Sequence, residues 1–295
     1  MVSAAPAIAD VKETVHAQSQ FARAWKRFKR HRLAYIGLWF CGLLFVVAIL
    51  APIIAPHPYD EANYDAIRAG TGHSEHWLGT DQLGRDVLSR LIYSLRTALI
   101  IACGAEAIAL SLAIVVGLAA GYLGGKVDQV LMAVIDVLFV FPSYLLIIIL
   151  VTVFGRNPVS IFVAIGISSW VTAARLVRAE VLALRVREYV EAGHAMGAGG
   201  WTIAFRYILP NAVGPLLVTL SFGIPAAIIA ESGLALLGLG VQPPTPSWGT
   251  MIQEGTQWVL AAPHMLFWPG LLFGLTMLAF TWVGDGLRDA FSPHE

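Results

Sequence analysis

The chain has 295 residues, 57% of them hydrophobic and only 13% charged, about half the charged share of an ordinary soluble domain. That composition marks a membrane protein, and the formal net charge of zero excludes a global attraction to nucleic acid or acidic substrates. The two cysteines, Cys41 and Cys103, sit inside apolar runs and read as small hydrophobes, with no disulfide framework or metal spacing.

Residues 1–32 form an N-terminal tail, poorly ordered before about residue 18 and basic from Arg23 to Arg32. The stretch from Phe21 to Arg32 reads as a short amphipathic helix on the inner membrane face, an anchor rather than a nucleic-acid arm. No cleavable signal peptide is expected, because the first apolar run starts late and is long enough to span. That run, Leu33–Ala55, is uncharged for 23 residues, about 35 Å of helix. Pro52 and Pro56 close it, giving a first span over 33–56.

A polar loop over 57–96 follows. From Leu83 the apolar residues recur helically (Leu83, Val87, Leu88, Leu91, Ile92, Leu95), opposite Arg85, Asp86, Ser89 and Arg90. With Asp81 as N-cap, this predicts an amphipathic helix lying at the outer interface. His73 and His76 read as solvated loop histidines, since no third metal ligand stands at suitable spacing.

The remaining core, 97–285, holds spans over about 97–125, 130–155 (kinked at Pro142), 157–176, 212–239 and 265–284, before a tail at 286–295. The fold class is therefore an all-α membrane protein of six transmembrane helices. No 20–50-residue repeat and no inverted pair of broken helices is visible. With the N-terminus inside, fourteen of the nineteen Lys and Arg residues fall in inner segments, which puts both termini in the cytoplasm. The same count puts the loop 178–211 inside.

Three carboxylates, Glu106, Asp136 and Glu231, fall within spans, where each needs a partner or a wet cavity. Glu106 and Asp136 read as structural, paired across helices or sitting close to an interface; no arginine lies deep in a span to match them, which leaves a second subunit open as the source of their partners. Glu231 has two open readings, lining a pathway or making a packing hydrogen bond. Nothing resembles a P-loop: Gly125-Lys126-Val127 lacks the first glycine and the hydroxyl. Neither a Gly-x-Ser-x-Gly elbow nor His-Glu-x-x-His occurs. The chain has transport architecture without an engine; a stand-alone secondary transporter or channel is the alternative.

The inner loop is the most informative stretch. If Glu188–Asn211 is helical, Ala192, Ala195, Met196 and Gly199 fall on one small-residue stripe that permits close approach of another surface. Gly197 then allows a turn, and Pro210 restarts the chain into the next span. Glu191-Ala192-Gly193, Gly197 and Leu209-Pro210 resemble the EAA loop of ABC-importer permeases, with Gly193 in place of the second alanine and Tyr207 in place of isoleucine. His76–Leu99, Glu231–Gly255 and Gly284–Asp289 resemble the corresponding stretches of the dipeptide, oligopeptide and nickel permeases. The extra N-terminal span and its long outer loop suit the C-type (DppC/OppC-like) members.

The resemblance implies a type I importer permease, one N-terminal helix plus a five-helix core, in a bacterial plasma (inner) membrane. It implies a heterodimer with a second homologous permease, two ABC ATPase subunits and an extracytoplasmic substrate-binding protein. No cofactor is expected on this chain, ATP and Mg being bound by the ATPase subunits, and no nucleic acid. The implied cargo is a peptide or a related small solute such as a nickel chelate. Glu188, Glu191, Ala192, Gly193, Gly197, Leu209 and Pro210 are the implied contacts and hinges of coupling to the ATPase. Glu231 and Ser232 are the candidates for pathway or gate.

Overall fold

The computed structural model describes residues 20–291, so the expected poorly ordered tail before residue 18 and the end of the expected C-terminal tail, 292–295, lie outside the described residues. Among the described residues the structure is helical, with one isolated bridge, Thr80 to Asp86, and no strand.

Helix α1 (Gln20–Phe28) buries Ala24 and Phe28 and turns Arg23, Lys26 and Arg27 outward. Helix α2 (Arg32–Ile54) is capped by His31, whose Nδ1 accepts the Ala34 N–H at 3.1 Å, which satisfies one of the four orphan donors. Its apolar run forms the span expected over 33–56.

Helix α3 (Val87–Leu123) has 37 residues, about 55 Å, nearly twice the hydrocarbon thickness of a bilayer. Here the structure corrects the sequence reading. The interfacial helix expected from Leu83 is instead the first turns of α3, and its N-cap is Asp86, not Asp81. Asp86 Oδ2 accepts both the N–H and the Oγ–H of Ser89 at 2.7 Å. Asp81 instead closes a turn, accepting the Leu83 and Arg85 N–H groups. Arg85, Asp86, Ser89 and Arg90, the face expected to be polar and outward, are all buried.

Helices α4 (Gly125–Val140) and α5 (Ser143–Phe154) meet at an 85° bend at Phe141-Pro142, so the expected kink is a full break. They nevertheless make one crossing. At the start, Arg185 Nη1 reaches the Gly121 carbonyl just before α4; beyond the end, Arg156 Nη1 reaches the Gly238 carbonyl at the opposite end of the bundle. Helix α6 (Pro158–Leu184), capped by Asn157 on the Ser160 N–H, runs eight residues past the expected boundary at 176. It lies along α3 for most of its length. The seam is made of glycines: a Cβ on Gly117 would come within 2.7 Å of the Ala174 carbonyl oxygen, and one on Gly166 within 2.7 Å of the Ala105 carbonyl oxygen. Small residues let two backbones touch, the main source of helix association where lipid tails are as apolar as leucine.

After α7 (Glu188–Ala195), α8 (Gly200–Thr202), a π-helical turn (Ile203–Ile208) and α9 (Leu209–Leu236) join into one helix, Gly200–Leu236. The expected restart at Pro210 does not occur. The wide turn explains how Pro210 is tolerated: the Leu209 N–H bonds the Ala204 carbonyl five residues back, which opens the ladder where a proline ring would meet the preceding turn. A short α10 (Trp248–Gln257), with a Ser247/Thr250 capping box, precedes α11 (His264–Phe291).

Among the described residues five helices are long and apolar enough to cross a membrane, and six crossings result with the bent α4–α5 pair taken as one span. Gly286 of α11 lies on Phe28 of α1, and Gly214 of α9 on Phe291. Both described chain ends therefore share the end of the bundle that carries α7. The loop 55–86 and α10 occupy the other end. The core follows this division. One buried cluster joins α2, α3, α5, α6, α9 and α11, and a second gathers the α7-end parts of α3 and α6 with Val190, Ile203 and Ile208.

Candidate functional site

An exposed elbow is formed by α6, α7 and α8. Helix α6 ends at Leu184, and Arg185 fixes that end by donating to the Gly121 carbonyl of α3 at 3.0 Å. Glu188 and Glu191 occupy the first turn of α7, where a carboxylate is favoured by the helix dipole. Both are exposed. Burial pushes the neighbouring Tyr189 phenol above its ordinary pKa, with the Arg187 charge opposing, so it stays a hydrogen-bond donor at neutral pH.

The two faces of α7 differ. Val190 and Gly193 are buried against the π-turn, and a Cβ on Gly193 would lie 2.9 Å from Ile203 Cδ1 and 3.3 Å from the Tyr207 ring. Ala192, Ala195, Met196 and Gly199, the stripe read from the sequence, are all exposed. Gly193 thus supplies close approach to the chain's own α8–α9 helix and not to the surface outside, which corrects its expected contact role. Leu209 is half-buried and Pro210 exposed, both inside the continuous helix.

Gly197 ends α7 in a Schellman motif. Its φ is +81°, its N–H bonds the His194 carbonyl at 2.9 Å, and the Ala198 N–H bonds the Gly193 carbonyl at 3.0 Å. No atom lies within 4 Å of the site a Cβ would take there, so the requirement for glycine is one of backbone conformation alone. Beyond the turn, Trp201 and Phe205 stack at 5.4 Å and stand out, Trp201 being 80% exposed. Met196, across the turn, is likewise exposed.

The intramembrane carboxylates are distributed differently from expectation. Asp136 has its partner in its own chain, Arg175 Nη2 at 2.6 Å, a pairing across helices. Asp128 takes Arg178 bidentately at 2.5 and 2.6 Å. The long α6 carries both arginines, Arg178 beyond the boundary at 176 expected from the sequence. Glu106 is buried with its carboxyl group against Gly223 of α9, where a Cβ would come within 2.3 Å. Glu231 is only 1% exposed and its Oε2 accepts from the Ser232 hydroxyl at 3.5 Å, while its Oε1 is buried without a hydrogen-bond partner. Ser232 is buried beside it, against Gly249 at the start of α10.

At the opposite end, sequence reading missed a buried ion cluster. Asp81 takes Arg85 Nε at 2.6 Å and Arg90 Nη1 at 3.2 Å, while Glu254 of α10 takes Arg90 Nη2 at 3.2 Å. His264 of α11 meets the Thr80 carbonyl at 2.9 Å. These contacts fasten the loop 55–86 onto α10 and α11. A cavity of about 140 Å³ opens beside them, lined by Arg90, Arg156, Gln242 and Glu254. The separation of Arg90 from Glu254 along the chain left no local signal.

The fold and the elbow together define a class: a multi-pass helical membrane protein with a short exposed helix, α7, between two of its crossings. Residues 113–294 match the family described as binding-protein-dependent transport system inner membrane component, and residues 19–70 match the N-terminal TM domain of oligopeptide transport permease C. The chain is 41% identical over 271 residues to the glutathione transport system permease protein GsiD of Pectobacterium atrosepticum, spanning 91% of this chain and 89% of that one. It is 39% identical over 271 residues to the dipeptide transport system permease protein DppC of Bacillus subtilis, spanning 92% and 84%. The oligopeptide transport system permease protein OppC of Bacillus subtilis is 36% identical over 293 residues, spanning 98% and 95%. The chain belongs to the binding-protein-dependent transport permeases, as a multi-pass component of a bacterial inner membrane.

Proposed function

We propose that this chain is one of two homologous permease subunits of an ATP-driven importer for peptides or a related small solute. A binding protein outside delivers the cargo, and two ATPase subunits, which hold ATP and Mg, work the gate from inside. Both termini and α7 lie in the cytoplasm. The observation that carries the reading is the two-faced α7: Val190 and Gly193 packed on the π-turn, Ala192, Ala195 and Met196 turned outward.

In this reading the outward stripe and Met196 enter a groove of the ATPase, and Glu188 and Glu191 make charge-assisted contacts at its rim. The turn at Gly197 sets the angle of α7 to the helix Gly200–Leu236. Movement of the ATPase pair on binding ATP displaces α7, and the packing of Val190 and Gly193 on Ile203 passes that displacement into the fifth crossing. Leu209 and Pro210 sit where the widened ladder makes bending cheap. ATP binding in the partner then shifts a two-state bundle between inward-open and outward-open arrangements. Peptide cargo follows from the names of the relatives and from no residue of this chain in particular.

A single-cysteine chain tests this directly, with Met196→Cys introduced after Cys41 and Cys103 are replaced by alanine. An impermeant maleimide is expected to label it only in inside-out vesicles, and co-expressed ATPase subunits are expected to protect it. Labelling from the outside, or labelling unchanged by the ATPase subunits, would overturn the proposal. Uptake driven by an ion gradient without nucleotide would favour a stand-alone transporter instead.

A further inference from the structure

We infer that the end of the bundle opposite α7 carries a divalent transition-metal site, made by His57, His76 and Asp86. These residues come from three separate places: the segment after α2, the middle of the 55–86 loop, and the N-cap of α3. One ligand atom from each lies within 4.8 Å of the others. A four-coordinate Zn²⁺ with ligands at 2.0–2.2 Å holds them about 3.4 Å apart. Closing the difference takes a movement of roughly an ångström; His57 Nε2 meets the Glu75 carbonyl at 3.0 Å, so Nδ1 is the nitrogen this half-buried ring has left for an ion.

The surroundings prepare the site. Asp86 spends Oδ2 on the Ser89 N–H and hydroxyl and turns Oδ1 to His76 Nδ1 at 3.0 Å. The His57 backbone N–H donates to the same Ser89 hydroxyl at 3.0 Å, which brings the His57 ring to 4.9 Å from that of His76. His76 is 4% exposed, not the solvated loop residue expected from the sequence, and its other nitrogen, Nε2, is buried without a hydrogen-bond partner. His76 Nδ1 and Asp86 Oδ1, held 3.0 Å apart, are spaced as neighbouring ligands of one ion that replaces the proton between them. An open depression of about 590 Å³ reaches these residues, and Glu61, Asp65 and Glu75 on its wall favour the entry of a cation. Two imidazoles and one carboxylate suit Zn²⁺ over Mg²⁺ or Ca²⁺, with water in the fourth place. The bound ion ties the chain leaving α2 to the first turn of α3, so it works as a staple on this face and needs no part in the ATP-driven cycle.

The test uses the full chain in lipid nanodiscs, stripped with a chelator and titrated with Zn²⁺, then with Co²⁺ as a coloured substitute. One Zn²⁺ per chain is expected, together with a visible d–d band for Co²⁺ and a rise in Tm on Zn²⁺ addition. His57→Ala is expected to weaken Zn²⁺ binding at least tenfold and abolish the band. Asp86→Asn keeps an N-cap and removes the carboxylate, so it separates metal loss from unfolding; it is expected to weaken binding at least tenfold with helix content unchanged. His73→Ala, whose ring lies 5.8 Å from that of His76 but outside the cluster, is expected to leave both readouts alone. Wild-type binding no tighter than His57→Ala, or equal losses in His57→Ala and His73→Ala, would sink the site.

Discussion

Gly193 offers the sharpest test of how α7 is joined to the membrane helices. A Cβ there would meet Ile203 Cδ1 at 2.9 Å, the far end of a flexible side chain, and the Tyr207 ring at 3.3 Å. An alanine therefore needs Ile203 to withdraw by only about half an ångström, and helix propensity returns up to ~1 kcal/mol over glycine. Gly193→Ala is expected to be neutral or slightly stabilising. Leucine adds three further carbons beside Val190, Ile203 and Ile208, each 0% exposed. Overpacking of that kind costs about 1–3 kcal/mol, which displaces the seated α7 by a factor of roughly 5 to 150. The assay is cargo-stimulated ATP hydrolysis by the reconstituted importer, with yield of the assembled complex as control. Gly193→Ala should retain stimulation, and Gly193→Leu should lose most of it while membrane insertion persists. Wild-type stimulation in Gly193→Leu would refute the idea that α7 acts through this contact.

Gly197→Val places a β-branched residue at φ +81° and is expected to cost more than ~1 kcal/mol and uncouple hydrolysis, whereas Gly197→Asn, which tolerates that region, should retain most stimulation; equal behaviour of the two would remove the conformational argument. Arg90→Ala removes one of the two buried arginines that Asp81 and Glu254 share, with Arg85 still at 2.6 Å from Asp81 and 3.6 Å from Glu254, so a clear fall in Tm is expected, worth about 1.5–3 kcal/mol for the lost charge-assisted hydrogen bonds. Arg175→Ala leaves Asp136, which falls within a span, without its partner at 2.6 Å, so a fall in Tm is expected, and an unchanged Tm would show that the pair does not stabilise the bundle. Glu231→Gln keeps a hydrogen-bonding group under α10 and is expected to leave uptake within about twofold of wild type; a large loss with normal assembly would assign Glu231 to the transport pathway.

The spans were legible because they needed only a local signal. An uncharged run of apolar residues fixed α2 to within a residue at either end, and the stripe from Ala192 to Gly199 showed the exposed face of α7. Misreadings arose where distant residues changed the meaning of local ones. Arg85 and Arg90 looked like a solvated face because their partners, Asp81 and above all Glu254, are supplied by loop closure and by α10. Once those charges are paired, a helix that seemed to lie on the membrane can run on into it, and α3 does so. The same holds for Asp128, whose bidentate partner Arg178 joins the bundle only because α6 runs on to Leu184. Gly193 and the π-turn lie beyond any periodicity argument. A helical wheel assumes the regular ladder that the Leu209 to Ala204 bond abandons. His76 was discounted for want of neighbours that only the folded loop provides.

The helix from Gly200 to Leu236 is about 55 Å long, with one end under α7 and the other, through Glu231, under α10. Pro215 and Pro225 lie within it, each missing one N–H, so its compliance is concentrated between two stiffer arms. Such a jointed lever has no preferred direction of use. By thermodynamic reciprocity, whatever alters the tilt of the inner arm must be answered by an equal bias in how readily a visitor settles on the far face, and a docked visitor is felt as strongly at the elbow.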